Sequence, residues 1–398
     1  MAAVLLRSRL LCKIAEKFLK PSIYRMSSTE ASFEHKRTIY EPTSTFAEKP
    51  DCTTLGFGNI FTDHMLTADW VQDKGWSYPK IGQTENFSMH PASSVFHYSI
   101  ELFEGLKAYR GDDGKVRLFR PDMNCNRLKK SAEYSCLPQI DEDEMLKCII
   151  ELVKLEKDWT PDSIKCPNSS LYIRPTMIGT NPFLGIDKAS MARFFIILSP
   201  VGPYFKTGTF KPVSLYSDPT FVRSWPGGIG ATKLGANYGP TIRIQKLAEG
   251  KGHQQVLWLF GEDQQLTEVG TMNLFVHWIN ENGEPEIATP PLDGLILPGV
   301  TRDSILEITK TWGTHKVTER KITMEETKKA IKENRLIEMF GAGTACVVCP
   351  IDKMQYLDEI YDIPTMTSGC TVSKRAFNEL TDIQYGRKAH DSWTVLIG

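Results

Sequence analysis

The chain has 398 residues, 41% of them hydrophobic, and a formal net charge of -1 at pH 7. That length supports two cores, and a near-neutral charge gives no electrostatic reason to expect nucleic acid as a partner. No apolar run reaches the about 18 residues of a membrane span, and nine cysteines, most of them far apart, do not read as a disulfide framework.

The first 25 residues differ from the rest. Arg7, Arg9, Lys13, Lys17, Lys20 and Arg25 face a single acid, Glu16, while Leu11, Ile14 and Phe18 recur at helical spacing. A basic, acid-poor amphipathic start reads as a mitochondrial transit peptide over residues 1–26, with a surface helix of the mature protein as the alternative. Met26 offers a second start and hence a cytosolic form. Residues 27–60 are polar and turn-rich and read as an extended arm. Beyond them Phe194–Leu198, Val256–Phe260 and Thr271–Val276 read as buried strands. Residues 240–249 read as a helix, with Pro240 at its first position and Gly250 as its C-terminal cap. Thr301 or Asp303 is placed to cap the helix that ends near Gly313, and Thr323–Glu326 spells a capping box. The alternation predicts a mixed α/β protein of two α/β domains. Prolines and glycines crowd residues 200–212. That places a small N-terminal domain at 27–205, a linker at 206–212 and a large domain at 213–398.

Residues 227–240, G-G-I-G-A-T-K-L-G-A-N-Y-G-P, surround Lys233 with five glycines. The Walker pattern fails, because Leu234 follows the lysine. The dinucleotide pattern fails too, because Lys233 occupies the third glycine position. A mobile surface loop and a reactive amine in a tight turn remain. Three further features favour the amine. Glu268 stands at the mouth of the strand that starts at Thr271. Leu297-Pro-Gly-Val-Thr301 precedes a helix whose first backbone N–H groups can hold an anion. Phe340-Gly-Ala-Gly-Thr-Ala345 is a second small-residue turn. An amine, a carboxylate and a phosphate cradle are what pyridoxal 5′-phosphate requires.

The motifs K-L-G-A-N-Y-G-P, L-T-E-V-G-T-M-N, P-P-L-D-G-L-I-L-P-G-V-T-R and F-G-A-G-T-A-C-V-V-C-P occur in that order. With them, from about residue 60 onward, the chain resembles the branched-chain amino acid aminotransferases among the fold-type IV pyridoxal-phosphate enzymes. The resemblance implies that Lys233 forms the Schiff base and shuttles the proton. It implies that Glu268 faces the pyridine nitrogen, Tyr238 meets the cofactor hydroxyl and Leu297 packs on the ring. Phosphate contacts are implied for Arg127, Val300, Thr301 and Thr344. A substrate pocket is implied for Tyr98, Phe103, Tyr172 and Tyr204. Arg174 would bind the side-chain carboxylate of glutamate or 2-oxoglutarate, and Thr271 and Ala345 the α-carboxylate. Ile186 would close the pocket from a partner subunit or from the small domain. Leucine, isoleucine and valine are the implied donors in a ping-pong exchange with 2-oxoglutarate, and a homodimer is implied because such enzymes build their site between two subunits.

Cys346-Val-Val-Cys349 is the one close cysteine pair. No second pair or histidine pair stands at zinc spacing, so no metal site is expected. The resemblance implies a redox-responsive dithiol, and small core residues are the alternative. Two rival functions stay open at this point: a non-catalytic dithiol redox protein, and a D-amino acid aminotransferase or lyase of the same fold type.

Overall fold

The computed structural model describes residues 31–204 and 210–398. The basic stretch 1–25, Met26 and part of the expected linker lie outside the described residues. The architecture is mixed α+β, with helices packed on two large sheets. Among the described residues no helix is long and apolar enough to cross a membrane.

The first sheet runs in the order Ile39–Glu41, Lys80–Gln83, His64–Val71, Met191–Val201, Ser170–Gly179, Leu106–Arg110, Val116–Phe119 and Thr394–Ile397. Its neighbours are antiparallel except for the first pair. The Phe194–Leu198 run is a strand, but only one of its faces is fully buried. Ala192, Phe194, Ile196 and Leu198 are at most 1% exposed, whereas Phe195 lies on the other face against Phe87. The helices Pro121–Tyr134 and Glu142–Leu155 cover the buried face with Leu128, Ala132, Met145, Ile149 and Leu152. The arm contributes the strand Ile39–Glu41 and two single 3-10 turns, His35–Arg37 and Cys52–Thr54.

In the second sheet the strands Gln265–Val269, Gln255–Phe260, Val213–Ser217, Val347–Tyr356, Leu336–Gly343 and Met272–Ile279 pair in turn. The last of these pairs back onto the first, through Glu268↔Asn273, so the six strands close on themselves. Val256–Leu259 is buried on both faces. Val256 and Trp258 meet the helix Thr241–Gly250 through Ile244 and Ala248, and Leu257 and Leu259 face the interior of the ring.

Three details depart from expectation. The helix Thr241–Gly250 begins one residue after Pro240, and Gly250 is its last residue, with Lys251 as the cap. The helix Val300–Thr311 starts at Gly299, so Thr301 and Asp303 lie inside it and cap nothing. The cysteines are not all isolated: Cys52 in the arm is bonded to Cys166 across a separation of 114 residues. Sequence spacing gives no hint of that pair, because the fold, not the chain, brings them together. Thr323 does cap its helix, accepting the Glu326 N–H at 3.1 Å.

The helix Thr371–Gln384 is capped from outside itself. Cys370 supplies no side-chain acceptor, and instead the carboxylate of Glu338, on the central strand Leu336–Gly343, accepts from the Val372 and Ser373 N–H groups at 2.8 and 2.9 Å. Thr371 and Ser373 hydroxyls add bonds of 2.9 and 2.6 Å. Burial alone would raise this carboxyl, but the nearby His277 ring, 3.4 Å away, the Ser373 hydroxyl and the helix amides hold it at about 2. The depressed value means that its stabilisation is complete above the unfolded carboxyl value of about 4.3 and is lost as pH falls toward 2. We expect Glu338→Gln to cost about 2 kcal/mol at pH 7. In denaturant titrations the gap from wild type should narrow by about pH 3, and a constant gap would contradict the assignment.

Candidate active site

The Lys233 loop is fastened at its backbone from the other half of the chain. The Lys233 N–H donates to Ser131 Oγ at 3.0 Å, and its carbonyl accepts from the Phe103 N–H at 3.1 Å. Leu234 bridges to Leu102 in the next position. Asn237 Nδ2 ties the loop to itself through the carbonyls of Ile229 and Thr232 at 2.8 and 2.9 Å. Gly235 answers to close approach: a Cβ there would fall 1.8 Å from Glu101 Oε1.

The Lys233 ammonium position is set among rings. Its Nζ lies 3.4 Å from Tyr238 Oη, 4.9 Å from the centre of the Phe103 ring and 5.6 Å from that of Tyr238. Burial, with help from the charge of Arg127, brings the amine down to about 8. Burial and the charge of Glu268 push the Tyr238 phenol up to about 12. Arg127 is itself buried and grips Glu104 through Nε and Nη2 at 2.7 and 2.9 Å, with Nη1 on the Pro298 carbonyl at 2.9 Å. Glu268 is 3% exposed. It accepts from the Leu297 N–H at 2.9 Å and lies 3.1 Å from Arg223 Nη2, yet burial still raises its carboxyl.

Beyond Leu297 the helix Val300–Thr311 begins without a side-chain cap, so its first-turn N–H groups have no intrahelical acceptor. Gly299 permits this turn, because a Cβ there would lie 2.0 Å from Asn273 Oδ1. Val300, Thr301 and Thr344 line one small cavity with Lys107 and Asn124. The donor set, with an amine of lowered basicity, a buried carboxylate and an open helix N-terminus, fits a phosphorylated heterocyclic aldehyde.

The aromatic residues form a continuous wall. Tyr238 meets Phe103 at 4.9 Å between ring centres, and the Arg174 guanidinium lies over Phe103 and Tyr172 at 4.7 and 5.2 Å. Phe57, from the arm, touches both Tyr172 and Tyr204 at 5.0 Å. Arg174 Nη2 donates to the Tyr172 hydroxyl at 3.1 Å, while its buried Nε has no partner. Ala345 accepts from Lys107 Nζ at 2.8 Å. Three candidates stand further out. Thr271 is exposed, Tyr98 is exposed with its hydroxyl donating to the Leu184 carbonyl, and Ile186 is 85% exposed.

Residues 101–354 match the family model for amino-transferase class IV. The chain is 54% identical over 364 residues to the cytosolic branched-chain-amino-acid aminotransferase of Mus musculus, covering 92% of this chain and 93% of that one. It is 53% identical over 343 residues to the mitochondrial enzyme of Rattus norvegicus, covering 86% of each.

The chain belongs to the branched-chain-amino-acid aminotransferases of class IV.

The fold agrees with this membership. The branched-chain aminotransferase of Escherichia coli superposes with a TM-score of 0.66 at 22% identity, covering 83% of this chain and 99% of that one. The T.th. enzyme with pyridoxamine 5′-phosphate also gives 0.66 at 22% identity, covering 84% and 98%.

Within this aminotransferase several site residues escaped the sequence reading. Arg223 was signalled only by the need of a buried Glu268 for a cation. Glu104 and Ser131 carried no signal, since one balances Arg127 and the other holds a backbone amide. Phe57 was hidden in a turn-rich arm. Cys346 and Cys349 are free thiols, and burial pushes Cys346 up to about 11 and Cys349 higher still. Cys346 Sγ lies 3.2 Å from Met272 Sδ. Among the described residues the one cluster of metal-type side chains is Asp51, Cys52 and Cys166, and its two sulfurs are bonded to each other.

The lowered amine is open to direct measurement. In cofactor-free protein, acylation of Lys233 followed by mass spectrometry across pH should reach half its limiting rate near pH 8. Surface lysines should do so at about 10.4. A midpoint for Lys233 in the surface range would mean that the aromatic setting does not desolvate it.

Proposed function

We propose that this aminotransferase moves the amino group of L-leucine, L-isoleucine and L-valine to 2-oxoglutarate. The products are branched-chain 2-oxo acids and L-glutamate, formed in a ping-pong sequence at one site. The observation that carries the reading is the Lys233 amine, lowered to about 8 and held 3.4 Å from Tyr238 by backbone bonds to Ser131 and Phe103. Pyridoxal 5′-phosphate, when bound, supplies an aldehyde for the amine and a ring that delocalises the electron pair left by a departing α-proton.

The chain's own residues supply the rest. Lys233 would hold the cofactor and then accept and return the proton at the substrate's α-carbon, which requires a neutral amine near neutral pH. Glu268, oriented by Leu297 and Arg223, would face the ring nitrogen, with Leu297 against the ring and Tyr238 on its hydroxyl. The Val300 and Thr301 amides, Thr344 and Arg127 would hold the phosphate. Phe103, Tyr172 and Tyr204 would enclose an aliphatic side chain and exclude water, with Tyr98 and Ile186 closing the mouth in a homodimer. Arg174, whose buried Nε is unpaired, would take the second carboxylate of 2-oxoglutarate. Thr271 and Ala345 would receive the α-carboxylate. Relatives from both cytosol and mitochondria match the chain, and we propose the mitochondrial matrix on the basic composition of residues 1–25, with a cytosolic form from Met26. Cys346 and Cys349, next to Ala345, would modulate activity on oxidation.

The purified protein should absorb visible light, lose that band with L-leucine alone and regain it with 2-oxoglutarate. Lys233→Ala should be unable to interconvert the two forms. Turnover of D-alanine without turnover of L-leucine would overturn the assignment. Arg174→Met should raise KM for 2-oxoglutarate at least about tenfold, the worth of a charge-assisted bond, and change KM for L-leucine much less. Equal losses for both substrates in steady-state kinetics would remove Arg174 from carboxylate selection.

A further inference from the structure

The Cys52–Cys166 bond sits at the shared base of two short segments that end in touching rings. Five residues after Cys52 comes Phe57, and six residues after Cys166 comes Tyr172, and their ring centres are 5.0 Å apart. Phe57 also reaches Tyr204. Between bond and ring, the arm passes so close to the first sheet that the Gly202 N–H donates to the Gly56 carbonyl at 3.1 Å. A Cβ on Gly202 would lie 2.4 Å from the Leu55 carbonyl oxygen. The nearby Asp51–Lys165 ion pair, at 3.3 Å, is solvent-exposed and contributes little. The covalent bond is therefore the strong fastening of this part of the arm, and it closes a long loop. Cys52 is half-buried and Cys166 is 7% exposed, so the bond is approachable from the Cys52 side.

We propose that Cys52–Cys166 is a thiol-exchange site whose state sets how firmly the arm closes the pocket wall. This rests on the aminotransferase reading above only in taking the Tyr172–Tyr204 wall as the substrate's surroundings. In compartments rich in small thiols a bond of this kind acts as a switch more often than as a permanent staple. The thiolate of a small thiol attacks Cys52 Sγ, forming a mixed disulfide, and Cys166 leaves as a thiolate and takes up a proton. A second small thiol displaces the Cys52 thiolate, which is protonated in turn. Two cysteine thiols and one small-molecule disulfide result, and oxidation by a small-molecule disulfide reverses the sequence. Opening the bond lets Phe57 leave Tyr172 and Tyr204, which loosens the wall against an aliphatic side chain and leaves the Lys233 machinery untouched. The bond is distinct from Cys346, in the turn before the strand Val347–Tyr356, and Cys349, on that strand, both of which are free.

The test uses full-length holoenzyme, with mass mapping without reductant to detect the Cys52–Cys166 peptide. Dithiothreitol should raise KM for L-leucine about fivefold, the effect of one aromatic contact, and change kcat by less than about twofold. It should also speed protease cleavage within residues 48–61. Cys52→Ser and Cys166→Ser should each start at the raised KM and respond no further to dithiothreitol. An equal response of wild type and both variants would place the effect at other thiols and overturn the proposal. So would an unchanged KM on reduction, or the absence of the linked peptide. If the oxidised protein instead lacks activity on L-leucine but turns over D-alanine, the substrate reading fails. Reductant-dependent cleavage of the arm, lost in Cys52→Ser, would then still establish the clasp.

Discussion

Two backbone hydrogen bonds hold the site together. Ser131 receives the Lys233 N–H, and Phe103 donates to the Lys233 carbonyl. Both partners belong to the first half of the chain, one on the helix Pro121–Tyr134 and one on the strand Glu101–Phe103. The lysine comes from the second half, so its amine is placed by the docking of the two sheets and not by its own loop alone. Small residues around it are required by that docking, because the loop must run against Glu101 without a side chain at Gly235. A side chain whose task is to meet a bound molecule at close range is best placed by bonds to its own peptide unit, since those fix where its Cα sits.

Around this point the molecule buries charge in matched sets. Glu104 is forked by Arg127, and Glu268 is held by Arg223, Leu297 and Asn273. Glu338 is filled by the start of the last helix. Ion pairs of this kind contribute little net stability, because removing both charges from water costs about as much as the pairing returns. Their effect is orientation. Each carboxylate can satisfy its partners in one geometry only, so the connection at Glu104, between the strands Glu101–Phe103 and Leu106–Arg110, and the strand that carries Glu268 present the surrounding surface in a fixed pose. Lys233 is the exception, an amine whose burial, with the charge of Arg127 near it, lowers its basicity.

Much of this was legible in the chain, and the boundary is physical. Glycine-rich turns, a capping threonine and apolar runs act over a few residues, so Thr323, the strand around Phe194 and the Lys233 turn could be read directly. The ordered motifs extended the reading to Glu268, Thr301 and Thr344. The partners that neutralise or pin those groups could not be read, because Arg223, Glu104 and Ser131 act across folds of the chain and are common residue types. The same holds for Cys52 and Cys166, which lie 114 residues apart in sequence and meet only because the arm returns over the first sheet. Helix caps from outside the helix fail for a similar reason: two further strands, Val347–Tyr356 and Glu359–Asp362, separate the strand of Glu338 from its helix.

The strand Thr394–Ile397 leaves the second half of the molecule and pairs, antiparallel, with Val116–Phe119 at the edge of the first sheet. The first sheet therefore lacks this strand until residues 394–397 have left the ribosome. A nascent first half has to wait with an open edge, the kind of surface that invites pairing with a neighbouring chain. Its completion coincides with the arrival of the second half, so the two units mature together, and a polypeptide that stops short of residue 394 leaves that edge unclosed.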